Sequence, residues 1–203
     1  MDRYQDYIIR DGEFIGNFEE MYQKFADPWG QIQYAADSYS RHATILSINR
    51  LKLQNILEIG CGLGGGGKLL SDNCPNAKID GMDISETAIR RAKERYQNLH
   101  FFVGNLLEFS REKNHYDAII LSEIMWYILQ DIDEIIENLS KNFKGKIIII
   151  NQTFYPEGVQ KYGTEYFTNL DSMVDYLPWQ ASCKISIVCE ETNEFESHSV
   201  YKI

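Results

Sequence analysis

The stretch "NILEIGCGLGGGGKLL", residues 55 to 70, constrains this chain more than any other, because it runs an apolar strand-forming segment straight into a cluster of glycines. So glycine-dense a turn lets the backbone reach positive φ and pass close to a ligand, which other residues resist. Three spacings coexist in it. Gly60, Gly62 and Gly65 make the G-x-G-x-x-G of a dinucleotide loop, Gly62 through Gly67-Lys68 is nearly a P-loop, and Glu58, Gly60, Gly62 and Gly64 make E-x-G-x-G-x-G.

From residue 55 onward, short β-rich runs alternate with helical stretches, the order of a sheet wound through crossover helices. The runs are 55–60, 77–84, 99–105, 116–123 and 145–153, and their near-continuous Ile, Leu and Val suit strands buried on both faces. Helices are expected over "GGGKLLSDNC", over "SETAIRRAKERY" with Ser85 as N-cap, over "DIDEIIENLSKNF" with Asp131 as cap and Ile132, Ile135, Ile136 and Leu139 on one face, and at "LDSMVDYL". Two late strands, "CKISIVCEE" and "FESHSVYKI", are joined through Thr192-Asn193, which suits an antiparallel hairpin and a reversed final strand.

Residues 1–50 read differently. "NFEEMYQKF" and "YAADSYSRHATILSINRL" make two amphipathic helices separated by the turn "ADPWGQ", with no strand expected before residue 55. The division expected is a helical lid or acceptor cap over 1–50 and a ligand-binding domain over 51–203.

Charge excludes some partners. Asp and Glu number 30 against 20 Lys and Arg, a net charge of −10, and a polyanion needs clustered cations for its phosphates, so nucleic acid and anionic membranes are not expected partners. The N-terminus mixes charges through its apolar residues, no segment approaches membrane-spanning length, and the four cysteines form no C-x-x-C pair. The cytoplasm is the expected location, with the cysteines reduced. No His, Cys and acid cluster has metal-ligand spacing, so no metal is expected.

The P-loop spacing fails at Leu69, where a hydroxyl should reach magnesium. The other two spacings share a requirement for a carboxylate about twenty residues on, at the end of the second strand, to bind ribose hydroxyls, and Asp83 supplies it for both. Glu58 separates them. A carboxylate entering the loop would repel a pyrophosphate, whereas S-adenosylmethionine offers a sulfonium and an ammonium.

On these residues the chain resembles the class I S-adenosylmethionine-dependent methyltransferases over residues 55–203. "LEIGCGLG" is similar to the first motif, with Glu58, Gly60, Cys61, Gly62 and Gly64; "GMDISETAIRRAKE" to the ribose-binding strand, with Asp83 and Ile84. "FFVGNLLEF" resembles the adenine-contacting turn, with Asn105 and Leu106, and "YDAIILSEIMWYI" the fourth strand, with Ser122, and its acceptor-side loop. The resemblance implies an α/β, Rossmann-like, mainly parallel seven-stranded sheet with the last strand antiparallel and helices on both faces. It also implies S-adenosylmethionine as cofactor and S-adenosylhomocysteine as product. Asn105 stands where the family usually has Asp, and its carbonyl can still accept from the adenine amino group. More narrowly, "DPWG" followed by "SYSRHATILSI" resembles the nodulation-type N-methyltransferases that modify amino sugars. That likeness implies that Arg41 pairs with the cofactor's carboxylate, with Trp29 or Tyr39 packed nearby.

The acceptor is expected to be a small molecule, methylated on a hydroxyl or amine, with a saccharide or activated sugar precursor as the class. Groups for it belong at the carboxyl ends of the strands: Glu123, Trp126 and Tyr127 after the fourth, Asn151, Gln152 and Tyr155 after the fifth, and the lid aromatics Tyr22 and Trp29. The catalytic candidates are His42, Glu123 and Tyr127; His100 and His115 sit near strand starts and His198 within the last strand. Two alternatives stay open: an NAD-linked oxidoreductase on the same loop, and a non-catalytic S-adenosylmethionine-binding module.

Overall fold

The computed structural model describes residues 3–108, 115–190 and 193–203. Glu191 and Thr192, at the link between the two late strands, lie outside the described residues.

The N-terminal segment opens with a turn of 3-10 helix, then β1 (Ile9–Arg10) and β2 (Glu13–Phe14), paired antiparallel. This small hairpin is a departure from the strand-free segment expected. It turns through Asp11 (φ 55°) and Gly12 (φ 86°), the Asp-Gly dipeptide whose left-handed conformations match the twist of a tight hairpin. Helix α1 (Phe18–Lys24) follows, then α2 (Tyr39–Leu51), which starts later than its pattern suggests because residues 35–37 form a separate 3-10 turn. Ser38 caps α2 by accepting from the Arg41 amide, and Lys52 ends it in the left-handed region.

The remaining elements alternate as the sequence implies: β3 (Asn55–Ile59), α3 (Gly65–Asn73), β4 (Lys78–Asp83), α4 (Glu86–Arg95), β5 (His100–Val103), β6 (Ala118–Ser122), α5 (Ile132–Asn142), β7 (Ile147–Phe154), α6 (Leu170–Tyr176), β8 (Gln180–Cys189) and β9 (Glu194–Lys202). Ser85 caps α4 through the Ala88 amide, whereas Asp131 precedes α5 without a side-chain cap bond. The sheet order is β5-β4-β3-β6-β7-β9-β8, with β3 to β7 parallel and β9 antiparallel to both neighbours. The reversed strand is thus last in the chain but second from the edge.

Alternation along the strands divides two cores. Ile56, Ile79, Ala118 and Ile120 pack with Ile48 of α2 and Leu70 of α3, while Leu57, Ile59, Ile119, Leu121, Ile148 and Ile150 pack with Ile132, Ile135 and Leu139 of α5 and Met173 of α6. Period-2 side-chain direction therefore places Glu58, two residues after Ile56, on the α2 and α3 side.

Helix α2 is tied to that face by polar groups as well. Thr44 and Asn151 hydrogen bond to one another, Asn151 Oδ1 lies 2.9 Å from His198 Nδ1, and Ser47 Oγ lies 2.8 Å from His198 Nε2. Burial pushes the His198 pKa down to about 4, so the imidazole is neutral.

Candidate cofactor and acceptor site

The glycine loop is pinned from two sides. The amides of Gly60 and Cys61 donate to the Met82 carbonyl at 2.8 and 3.0 Å, and the Gly62 amide donates to Asp83 Oδ2 at 2.8 Å. Glycine is required at position 60, where φ is 72° and a Cβ would stand 2.3 Å from the Ile124 side chain. Asp83 Oδ1 accepts from the Ser85 amide at 2.9 Å, so the carboxylate is fixed at the end of β4 while burial pushes its pKa up. Just beyond it, Ile84 and Val103 are apolar yet 53% and 47% exposed at the ends of neighbouring strands. Leu106 is buried nearby in sequence, and Asn105 is exposed with its Oδ1 accepting from the Leu107 amide at 3.0 Å.

Glu58 and Arg41 meet at the first turn of α3. A Cβ on Gly66 would lie 2.4 Å from Glu58 Oε1 and 3.1 Å from Arg41 Nη1, and one on Gly65 would lie 2.1 Å from the Gln31 carbonyl. The run Gly65–Gly67 is therefore a cradle. Glycines inside a helix cost up to about 1 kcal/mol each, a cost accepted here to bring side chains against the helix start. Burial raises the Glu58 pKa, opposed by Arg41 and by the Gly67 amide. Glu58 Oε2, Arg41 Nη1 and Ser122 Oγ are buried without hydrogen-bond partners among the described residues. Buried polar atoms are costly unless paired, so an acid, a base and a hydroxyl left over beside the loop fit a ligand carrying both charges. The ammonium and carboxylate of an amino acid meet that description; a pyrophosphate does not.

The acceptor-side groups follow β6. Glu123 adopts φ 60°, unusual for a residue with a side chain, and accepts from the Thr153 amide at 2.9 Å and the Thr153 hydroxyl at 3.1 Å. Burial raises its pKa, and Arg41 and the Thr153 bonds oppose the rise. The Tyr127 ring lies 5.3 to 6.5 Å from those of Phe18, Trp29 and Phe14, so lid and loop share an aromatic cluster. Burial and the charge on Glu123 push Tyr127 upward and Tyr155 up to about 12.

The structure does not gather every candidate. His42 is exposed on α2 with its Nε2 2.8 Å from the Ala36 carbonyl, and Tyr39, the first residue of α2, is 59% exposed. Asn151 lies within β7 and turns to Thr44 and His198, and Gln152 Oε1 accepts from the Met125 amide, so both are occupied in holding elements together. Trp126 is buried against Phe154 and Phe167. Tyr22, by contrast, has its hydroxyl against Gly62, and Trp29 joins the cluster around Tyr127. Gln31 belongs to none of the motifs, yet it touches the loop at two glycines. Among the described residues no three His, Cys, Asp or Glu side chains gather as a metal would require, and no helix is long and apolar enough to cross a membrane.

Comparison with known proteins agrees with this geometry. A family model described as a methyltransferase domain matches residues 56–145, from within β3 to the turn before β7. Residues 56–145 are a methyltransferase domain, and its likeness is to the class I S-adenosylmethionine-dependent kind. The domain is 32% identical over 103 residues to malonyl-[acyl-carrier protein] O-methyltransferase 2 of Ilyobacter polytropus, covering 49% of this chain and 39% of that protein. It is 26% identical over 125 residues to nodulation protein S of Sinorhizobium fredii, covering 58% and 56%. The chain thus spans about half the length of the curated relatives it matches. Among solved structures, the N-methyltransferase NodS from Bradyrhizobium japonicum WM9 in complex with S-adenosyl-L-homocysteine superposes with TM-score 0.68 at 17% identity, covering 90% of this chain and 96% of that one. That likeness speaks to fold, and the methyltransferase domain's seven strands and reversed β9 accord with it.

Proposed function

We propose that the chain transfers a methyl group from S-adenosylmethionine to a hydroxyl or amine of a small molecule, a saccharide or activated sugar precursor being the favoured class. Residues 1–50 act as the acceptor cap and 51–203 as the cofactor-binding domain. The cofactor supplies a methyl carbon activated by its sulfonium; the protein has to hold it, aim the acceptor and keep water out.

In this reading Asp83 accepts from the ribose hydroxyls, with Gly60, Cys61, Gly62 and Gly64 letting the backbone approach. Ile84, Asn105 and Leu106 border the adenine, and Glu58, Arg41 and Ser122 hold the amino-acid end. Trp29 and Tyr127 close the acceptor side, while Tyr39 and His42 contribute only if the first turn of α2 rearranges. Glu123 takes the proton released as the acceptor's oxygen or nitrogen bonds to the methyl carbon and the carbon–sulfur bond breaks.

The observation that carries the acceptor class is Glu123 itself. It is a fixed, partly buried carboxylate whose titratable neighbours include Tyr127, Tyr155 and Glu196, and Arg41, the cation that acts on it, also faces Glu58. Such a wall attracts an ammonium or accepts a hydroxyl proton, and it repels a carboxylate acceptor. The rings of Trp29, Phe14 and Tyr127 offer surfaces for a sugar or a cationic amine. Support for a saccharide comes from the resemblance of "DPWG" and "SYSRHATILSI" to the nodulation-type N-methyltransferases; the malonyl-[acyl-carrier protein] O-methyltransferases among the relatives act on a different acceptor.

Labelled-methyl transfer from S-adenosylmethionine into fractionated small-molecule extract, with mass identification of the product, tests this. A methylated hydroxyl or amine supports it, and a methyl ester overturns it.

A further inference from the structure

Gln31 belongs to the turn between α1 and α2, and its placement is built. Asp27 Oδ2 accepts from the amides of Ile32 at 3.0 Å and Gln33 at 3.4 Å, and the Tyr34 amide donates to the Gly30 carbonyl at 2.8 Å, so the turn is closed on itself around Gln31. Gly65 lets the Gln31 backbone press onto the start of α3. The side-chain amide lies across Gly62, where a Cβ would meet Oε1 at 2.2 Å and Nε2 at 2.5 Å.

The orientation of that amide is fixed by its neighbours. The Leu63 amide donates to Gln31 Oε1 at 3.0 Å, and the Tyr22 hydroxyl, on a residue 2% exposed, donates to the same oxygen at 3.2 Å. A backbone N–H can only donate, so the carbonyl end must face Leu63 and the NH2 end must face the other way. Both Nε2 donors are without a hydrogen-bond partner among the described residues. They stand beside Gly62 in the glycine loop, while the Gln31 backbone carbonyl lies over Gly65 and Arg41 Nη1 over Gly66, on the same loop and helix start. The buried, partnerless Arg41 Nη1, the partnerless NH2 of Gln31 and the amide-rich start of α3 are thus donors set along one loop and helix start, with the buried Glu58 Oε2 as an acceptor beside Gly67.

We propose that Gln31 is a cofactor ligand supplied by the lid, donating from Nε2 to the carboxylate at the amino-acid end of S-adenosylmethionine, with Tyr22 and Leu63 locking the amide so that it presents donors and not its oxygen. The proposal rests on the S-adenosylmethionine reading above. It makes the lid part of the cofactor site and not only of the acceptor site: the turn carrying Gln31 and the helix carrying Arg41 grip one carboxylate from two sides.

The test is isothermal titration of the whole chain with S-adenosylhomocysteine and, separately, with 5′-methylthioadenosine, the same nucleoside thioether without an amino-acid end. Gln31→Ala is expected to weaken S-adenosylhomocysteine about tenfold or more, the usual scale for one hydrogen bond to a charged group, while methylthioadenosine changes less than about twofold. Gln31→Glu, nearly the same shape and therefore the safeguard against a fold defect, is expected to lose at least as much for S-adenosylhomocysteine alone, because it sets a negative charge against the carboxylate. Equal weakening of both ligands, or of neither, overturns the proposal and leaves the cofactor reading standing. Failure of the unsubstituted protein to bind S-adenosylhomocysteine overturns both.

Discussion

Arg41 and Glu58 face each other across Gly66, a cation and an anion close enough to act on one another's charge yet joined by no ion pair among the described residues. Each keeps one buried atom without a partner. The pair is thus set up to be completed by a zwitterion, and the three glycines that open α3 are what let both side chains reach it.

Glu58→Gln should therefore cost binding more than stability. The folded protein holds this carboxyl above its ordinary pKa, so it binds protons more readily than the unfolded chain, and its ionised form is a burden that is fully present above the folded pKa and relieved as pH falls. Removing the charge is expected to leave the melting temperature unchanged or raised near neutral pH, while S-adenosylhomocysteine affinity falls about tenfold or more. Thermal melts with titration calorimetry on the same preparations check both halves.

Glu123→Gln is expected to lower the rate of methyl transfer about 10²-fold or more with cofactor affinity little changed, the range for loss of a general base. The base works only when ionised, and burial raises its pKa, so activity should fall on acidification at a pH above the usual carboxylate range. That inflection should disappear in the Gln variant. A turnover-against-pH profile of both proteins reads this directly.

His198 should make the fold acid-sensitive. The buried imidazole stays neutral down to about pH 4, whereas the unfolded chain takes up a proton near its ordinary value, so between the two the unfolded state binds more protons and stability falls as pH falls. The loss from this residue is about 3 kcal/mol on going from pH 7 to 4, by the free energy per pKa unit. Urea denaturation of the unsubstituted protein and of His198→Gln at both pH values should show a smaller acid loss in the variant.

Glu19 latches α1 to the start of α4, accepting from the hydroxyls of Ser85 and Thr87 at 2.6 Å each and from the Thr87 amide at 3.1 Å; these bonds pull its pKa down to about 2 against a desolvation cost. Glu19→Ala should lower stability by about 1–2 kcal/mol, the scale of a lost charged hydrogen bond at a helix start, and raise hydrogen exchange in α1 before the sheet. Exchange measured by mass spectrometry distinguishes lid from sheet.

Much of this was legible in the order of residues. Continuous Ile runs announced buried strands, Ser85 announced a helix start, and Glu58 among the glycines announced a positively charged ligand, because each of those signals is local. The β1–β2 hairpin was equally local in its Asp11-Gly12 turn, but two-residue strands leave no alternation to see. Asn151 looked like an acceptor group by its place at a strand end, and lost that part to Thr44 and His198, which approach from helix and sheet segments 107 and 47 residues away. Gln31 carries no motif at all. Its importance comes from contact with Gly62 and Gly65, a tertiary fact whose only trace in the sequence is that the glycine run is longer than a ligand loop requires.

The decisive measurement is calorimetric titration of the full chain with S-adenosylhomocysteine and with NAD, repeated on Asp83→Ala. Saturable one-to-one binding of S-adenosylhomocysteine, lost in the variant and absent for NAD, is the predicted result. Binding of NAD with no heat from S-adenosylhomocysteine would contradict the account at its root.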